Sequence, residues 1–447
     1  MGPPIRGDGA RSDNPALDAL LTRAQALHPK KIDLTLGRLE RVLAALGDPH
    51  HAVPPTFHVA GTNGKGSVCA FLRAALEAGG KRVHVYTSPH LVRFNERIRL
   101  GGTLISDEAL IDTLGRVMTA NGNAPLTFFE LTTAAAFLAF AEDPADALVL
   151  EVGLGGRYDA TNVIPAGRVA ACGLAHISRD HEQFLGSDVV GIAAEKAGIA
   201  KTGVPLVGSQ HAPALRRRIA EVAAAAGADY LPRGDAWDAV AADTGIAYHD
   251  SKGELALALP ELPGRHQQDN AALATAMLRH QSALSVSKHA LEAAPRRADW
   301  PARLQHLETG KLADLCPPGA ALFLDGGHNP GAGEAIGQFL ERRQREGGQP
   351  VTVIAGMIEG KDHAGFLSGF APYVQHLIAV PIPGYAFAPP AAVAAAAKSL
   401  GLSSSTADSP KTALKALRRD GEPPLILICG SLYLAGQVLA ANGTPPV

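Results

Sequence analysis

His58-Val59-Ala60-Gly61-Thr62-Asn63-Gly64-Lys65-Gly66-Ser67 sets the reading of the whole chain. An apolar run with strand character, Phe57 and Val59, stops at Gly61. Gly64 and Gly66 frame Lys65, and Ser67 opens the helical pattern Val68-Cys69-Ala70-Phe71-Leu72-Arg73-Ala74-Ala75-Leu76. Strand, glycine-rich turn, Lys, hydroxyl and helix is the layout of a phosphate-binding loop. Glycines let backbone N–H groups converge on phosphate oxygens with no Cβ in the way. The helix N-terminus adds free donors and partial positive charge, and Lys65 adds a mobile cation. The common pattern G-x-x-x-x-G-K-[ST] is not met in full. Gly61 and Gly64 stand two residues apart, and Gly66 takes the place of the hydroxyl after Lys65. The competing reading is an ordinary glycine-rich strand-to-helix turn. If the loop binds phosphate, another group must hold the metal.

Candidates lie at the ends of the next strands. Arg82 to Thr87 reads as a strand ending in Thr87-Ser88-Pro89-His90-Leu91. A hydroxyl past a strand's C-terminal end stands where ligands bind in parallel α/β sheets; as a bland alternative, Ser88 is a turn residue before Pro89. Ala147 to Val152 is an apolar strand carrying Glu151, followed by Gly153-Leu154-Gly155-Gly156-Arg157. A lone acid there is costly unless partnered, and an acid after a buried strand often holds magnesium in phosphate-loop proteins. Val169 to His176 leads to the polar cluster Ser178-Arg179-Asp180-His181-Glu182, and a helix over Val189 to Ala200 bears Glu195-Lys196. Thr127 and Glu130 have capping-box spacing at the start of a helix reaching Phe140. The basic run Arg93 to Arg99 is either a solvated loop or a loop that meets an acidic substrate. Residues 229 to 262 are weakly patterned and suit short strands and turns, and Gln267 to Arg279 reads as a helix with Asn270 in its first turns.

Strands alternating with helices predict an α/β fold with a doubly wound, mostly parallel sheet. The expected division is a disordered tail over 1–16, a phosphate-loop ATPase domain over 17–297 and a smaller C-terminal Rossmann-like α/β domain over 298–447. The boundary falls where Pro295 to Pro301 interrupts the periodicity. In the second domain, Ala321 to Leu324, Val351 to Ala355, His376 to Val380 and Leu425 to Cys429 read as strands. The first ends in the polar turn Asp325-Gly326-Gly327-His328-Asn329-Pro330. With 447 residues, 46% hydrophobic and 19% charged, the composition is that of a globular protein with a large core. A net charge of −2 gives no bulk pull toward nucleic acid or anionic membrane. The four cysteines, Cys69, Cys172, Cys316 and Cys429, show no C-x-x-C pairing, which argues against disulfides or zinc and for a reducing cytoplasm. The first fifteen residues lack the apolar core of a signal peptide.

Taken together, Gly61 to Ser67, Thr87 to Leu91, Glu151 to Asn162, Asp180-His181, Glu195 to Ile199, Asp325 to Pro330 and Gly430-Ser431-Leu432-Tyr433-Leu434 resemble the dihydrofolate synthase/folylpolyglutamate synthase family, a branch of the ATP-dependent Mur ligases. The likeness runs from about residue 17 to 440 with the motifs in order. It implies ATP, Mg²⁺, L-glutamate and dihydropteroate or a reduced folate as ligands, a monomer, and an active site between the two domains. Gly61, Thr62, Asn63, Gly64, Lys65, Gly66 and Ser67 would bind the ATP phosphates, with Asn270, Arg303 and Asp325 completing the nucleotide site. Ser88, Glu151, His181 and a carbamylated Lys196 would hold magnesium; Lys65, Lys196 and His181 would carry the chemistry. Thr127, Phe128, Phe129 and Glu130, with Tyr158, Asp159 and Ala160, would contact the pterin. The implied reaction converts a substrate carboxylate to an acyl phosphate, which the amine of glutamate then displaces. Two departures stand out: Pro301-Ala302-Arg303 where the family has Pro-Gly-Arg, and Gly327 where it commonly has Ala. The alternatives are a folylpolyglutamate synthase alone, or a phosphate-loop ATPase or switch without ligase activity.

Overall fold

Five consecutive buried residues, Thr56–Ala60, make β1, a strand covered on both faces as central strands of parallel sheets are. The structure, a computed structural model, describes residues 12–27, 34–180, 182–418 and 421–447. Of the tail expected over 1–16, residues up to 11 lie outside the described set, and Pro15 already starts a helix capped by Asn14. The chain divides into two units. The larger contains Ala10–Glu261 and His266–Asp299, the smaller Leu262–Arg265 and Trp300–Pro446.

In the larger unit, β1 is joined by β2 (Val83–Tyr86), β3 (Ile98–Leu100), β4 (Thr103–Leu104), β5 (Ala147–Glu151), β6 (Val169–Leu174), β7 (Pro205–Gly208) and β8 (Asp229–Pro232). The order is β4-β3-β2-β5-β1-β6-β7-β8. The six strands from β2 to β8 in this order run parallel, and β3 and β4 add an antiparallel edge. Strand order reverses around β1, so its C-terminal end opens on the crevice where ligands bind in open α/β sheets. The loop Gly61–Gly64 emerges there.

The basic run Arg93–Arg99 proves to be a built part of this edge. Phe94 and Ile98 are buried anchors, and Ile98–Leu100 pairs antiparallel with β2. Arg97 is 1% exposed, its guanidinium 5.2 Å from the Phe94 ring centre and its Nε donating to His90 Nδ1 at 3.0 Å. Residues 229–262 are more regular than their pattern suggested. After β8 they form a three-stranded antiparallel sheet of β9 (Trp237–Ala242), β10 (Gly245–Asp250) and β11 (Gly253–Ala258), with Trp237 stacked on Tyr248.

The helix Arg265–Arg279 is tied to that sheet at both ends. Arg233 pairs with Asp238 and with Asp269, and Arg279 pairs through two nitrogens with Asp250, whose side chain is fully buried. Removing one partner of a buried pair strands the other charge. Asp250→Ala is therefore expected to lower unfolding free energy by about 3–5 kcal/mol, read from denaturant unfolding.

The smaller unit holds β12 (Gln305–His306), β13 (Ala321–Leu324), β14 (Val351–Ala355), β15 (His376–Ala379), β16 (Ser403–Thr406) and β17 (Leu425–Cys429), ordered β12-β13-β17-β14-β15-β16. All pairings are parallel except β12 with β13. Leu340, Val353, Phe366, Leu377 and Leu427 lie in its separate core. The fold class is thus two α/β domains with mixed, mostly parallel sheets. Among the described residues no helix is long and apolar enough to cross a membrane.

Candidate functional site

Gly64 caps the helix Lys65–Ala78 at φ +89°, a conformation that a side chain disfavours. Space forbids one as well, because a Cβ there would sit 2.5 Å from Asn270 Oδ1. Asn270 is held in place by donating to Gln267 Oε1 at 3.0 Å. The helix Arg265–Arg279 therefore presents Asn270 against the loop, joining two residues 206 positions apart. The loop's flank is fixed to the end of β6: the Thr62 and Asn63 amides donate to His176 O, and Thr62 Oγ1 donates to Ser178 O.

Two lysines converge on one carbonyl. Lys65 Nζ donates to Gly61 O at 3.1 Å and Thr62 O at 3.2 Å, and Lys196 Nζ donates to Gly61 O at 3.0 Å. Lys196 is 5% exposed. Burial, then the nearby Lys65 charge, push its ammonium down to about 7, against the opposing pull of Asp180, Asp159 and Glu195. A lysine so placed exists in large part as a neutral, nucleophilic amine near pH 7. Gly156 makes the approach possible, since a Cβ on it would meet Glu195 O at 2.7 Å and Lys196 O at 2.8 Å.

The register of the sheet assembles the acid and the hydroxyl. Glu151 sits opposite Val59 of β1, and its neighbour Leu150 opposite Tyr86 of β2. Ser88, two residues past β2, donates its N–H to Glu151 Oε2 at 3.1 Å. Inside the first turn of the helix Lys65–Ala78, Ser67 is 1% exposed and its Oγ has no partner among the described residues. That buried orphan oxygen suits a site meant to hold a bound group. Buried carboxylate and hydroxyl oxygens are the donors a hard divalent cation takes. No three His, Cys, Asp or Glu side chains among the described residues cluster tightly enough to hold a metal by themselves. A cation would need donors beyond that set, a part the family resemblance gives to Ser88 and a carbamylated Lys196. His181 lies outside the described residues.

The residues expected at the pterin are embedded in local structure. Thr127 Oγ1 accepts from Glu130 N, and Glu130 Oε2 accepts from Thr127 N, the expected capping box. Glu130 also takes two hydrogen bonds from Arg38, at 3.1 and 2.9 Å, a pairing no spacing rule could reveal. Phe128 packs on Phe94, and Phe129 lies where a Cβ on Gly153 would touch it. Tyr158 is 47% exposed, whereas Asp159 is buried and accepts from Leu154 N and Thr161 N, and Ala160 is buried beside it. Phe128, Phe129 and Tyr158 are thus the members of the set with surface left for a ligand.

In the smaller unit, Asp325 follows β13, and its two oxygens accept from Leu304 N at 2.8 Å and Gly327 N at 2.7 Å. Gly326 N donates to Ala302 O, and so does Arg303 Nη1 at 2.9 Å. Arg303 and Asp325 therefore share one knot. Both departures gain a physical account. Ala302 and Leu304 flank Arg303 at φ +56° and +47°, so the expected glycine would remove strain that Ala302 carries. At Gly327 a Cβ would lie 2.7 Å from Asp325 Oδ1 and 2.9 Å from Ala332 Cβ, so the added methyl would crowd this knot. Ala302→Gly is expected to stabilise the protein by about 0.5–1 kcal/mol, the left-handed penalty less the entropy glycine costs in the unfolded chain. Chemical unfolding measures it.

Residues 313–432 match the family described as Mur ligase, glutamate ligase domain. The chain is 35% identical over 425 residues to the dihydrofolate synthase/folylpolyglutamate synthase of Escherichia coli K12, covering 95% of this chain and 94% of that one. It is 32% identical over 426 residues to the protein of the same description in Bacillus subtilis 168, at 90% and 94% coverage. The solved structure of Escherichia coli FolC in complex with DHPP and ADP superposes with a TM-score of 0.84 at 34% identity, covering 95% of this chain and 97% of that one.

Proposed function

The chain belongs to the dihydrofolate synthase/folylpolyglutamate synthase family, and on that premise we propose that it adds L-glutamate both to dihydropteroate and to a reduced folate. It is an ATP-dependent ligase that uses a divalent metal. The observation that carries the reading is the convergence of Lys65 and Lys196 on the Gly61 carbonyl, beside a strand end where Glu151 is tied to Ser88. A phosphate switch has no need of a second, buried lysine there.

The loop Gly61–Ser67 binds the ATP phosphates, with Lys65 swinging from its two carbonyls to the terminal phosphate. Ser88, Glu151, His181 and a carbamylated Lys196 would hold magnesium, which would offset the charge of the transferring phosphoryl group. Asn270, Arg303 and Asp325 contact the nucleotide. Phe128, Phe129 and Tyr158 face the pterin, with Thr127, Glu130, Asp159 and Ala160 shaping that wall. The substrate carboxylate attacks the γ-phosphorus and ADP leaves. The glutamate amine then attacks the acyl carbon, phosphate leaves, and the amine's proton passes to solvent or a nearby base. The chain's contribution is positioning and preorganised charge. The protein works in the cytoplasm as a monomer on small molecules.

The test is product mass after incubation with ATP, Mg²⁺ and L-glutamate, with dihydropteroate and tetrahydrofolate in parallel. A one-glutamate gain on both is expected. A gain on tetrahydrofolate alone would leave a folylpolyglutamate synthase. A gain on neither, with ATP still hydrolysed, would overturn the ligase reading.

A further inference from the structure

His58 is a polar residue at the centre of an otherwise buried strand, and it is itself fully buried. Its Nε2 lies 2.8 Å from Thr161 Oγ1. Thr161 Oγ1 in turn donates to Asp159 Oδ1. A hydroxyl has one proton, and here the carboxylate takes it. The imidazole must therefore supply the other proton, which fixes His58 as the Nε2–H tautomer. Its Nδ1 is buried with no partner among the described residues, so the ring stays neutral. Burial, with Lys201 nearby, holds it down to about 3.

The relay runs on into the site. Asp159 Oδ2 accepts from Leu154 N at 2.8 Å, and Asp159 N donates to Gly156 O at 3.2 Å. Asn162 Nδ2, one residue past Thr161, donates to Arg157 O at 2.9 Å and Gly198 O at 3.2 Å. Arg157 N donates to Glu195 O at 3.0 Å, and Gly156 packs on the Lys196 backbone. Lys196 Nζ then reaches Gly61, three residues beyond His58. The circuit closes on the loop that leaves its own starting strand. Such chains of hydrogen bonds, buried at the His58 and Lys196 ends, act as a unit and orient the groups they end on.

We propose that His58 is a positioning residue for the ligase reaction: through Thr161 and Asp159 it sets the turn 154–157 against Lys196, and so fixes where the Lys196 side chain meets the phosphate loop. The proposal rests on the ligase reading. It is distinguished from a role in stability alone by a double-variant cycle. In Thr161→Val the imidazole donor is stranded, and both unfolding midpoint and kcat should fall. In His58→Leu/Thr161→Val the stranded imidazole is gone as well, so the unfolding midpoint should recover part of the way toward that of the wild type, the buried Asp159 Oδ1 still lacking its hydroxyl donor. The kcat should not recover. It should stay down about tenfold or more, with KM for ATP and glutamate within about twofold, since misplacement by a fraction of an ångström acts on turnover. His58→Gln, whose amide nitrogen can occupy the Nε2 position, should keep kcat within about threefold of the wild type. Recovery of kcat together with the midpoint in the double variant would overturn the proposal, as would a kcat for His58→Gln as low as that of the double variant. Absence of glutamate ligation by the wild-type protein would instead count against the ligase reading.

Discussion

Lys65→Ala is expected to cut kcat for glutamate ligation by about 10²–10³-fold or more, the scale on which one preorganised charge contact to a developing anion counts. The fold should be left within about 1 kcal/mol of wild type, as for a partly exposed side chain whose removal opens no core cavity. The bonds lost are to two loop carbonyls, Gly61 O and Thr62 O, which water can reach once the ammonium is gone. A second effect adds to the first. The Lys65 charge is one of the forces that hold Lys196 below its ordinary range, so its removal lets Lys196 keep its proton more firmly. The single substitution therefore removes one lysine and leaves the other less readily neutral, though its burial still holds it down. Phosphate release coupled to ligation, with denaturant unfolding alongside, measures both halves. Turnover equal to wild type would remove the phosphate-loop assignment.

Much of this site was legible in the sequence because its parts sit at strand ends. Glycine spacing marked Gly61–Ser67, and apolar runs stopping at a polar residue marked Glu151, Ser88 and Asp325. Within the larger unit the parallel sheet then brings the ends of β1, β2 and β5 together by register, as Val59 opposite Glu151 shows. Side-chain geometry across long separations was not legible. Nothing in local pattern ties Arg38 to Glu130, or Asn270 to the space above Gly64. The run Arg93–Arg99 misleads for a similar reason: counting charges hides that Arg97 lies under Phe94 and pairs with His90. The serine-rich strand β16 escapes because a polar edge strand has neither alternation nor an apolar run. His58 left a trace that could have been followed. A histidine inside a fully buried strand needs a buried partner, and Thr161 was the one to find.

Lys196→Met should separate activity from stability more sharply than any other change. The substitution is expected to abolish ligation, with kcat down about 10³-fold, because no thioether can accept carbon dioxide or offer an oxygen to a cation. Yet it should leave stability equal or raise it. The native ammonium is buried, pushed well below its ordinary range by that burial and by Lys65, and bonded among the described residues to one carbonyl oxygen, Gly61 O. A methionine of similar length fills the same space without that desolvation cost. A site that keeps a destabilising lysine where an apolar residue would fit is holding it for chemistry. Carbamate formation joins the neutral amine to carbon dioxide, breaks a C=O π bond and releases one proton. Wild-type activity should accordingly fall after exhaustive exchange into carbon-dioxide-free buffer and return with bicarbonate, while Lys196→Met responds to neither. A ¹³C-bicarbonate carbamate resonance present in the wild type and absent in the variant would locate the adduct. Undiminished ligation by Lys196→Met would eliminate the lysine from the metal site. Loss of ligation without any bicarbonate dependence in the wild type would keep the lysine and discard its carbamylation, leaving the amine itself, beside Lys65, as the group that meets the phosphate.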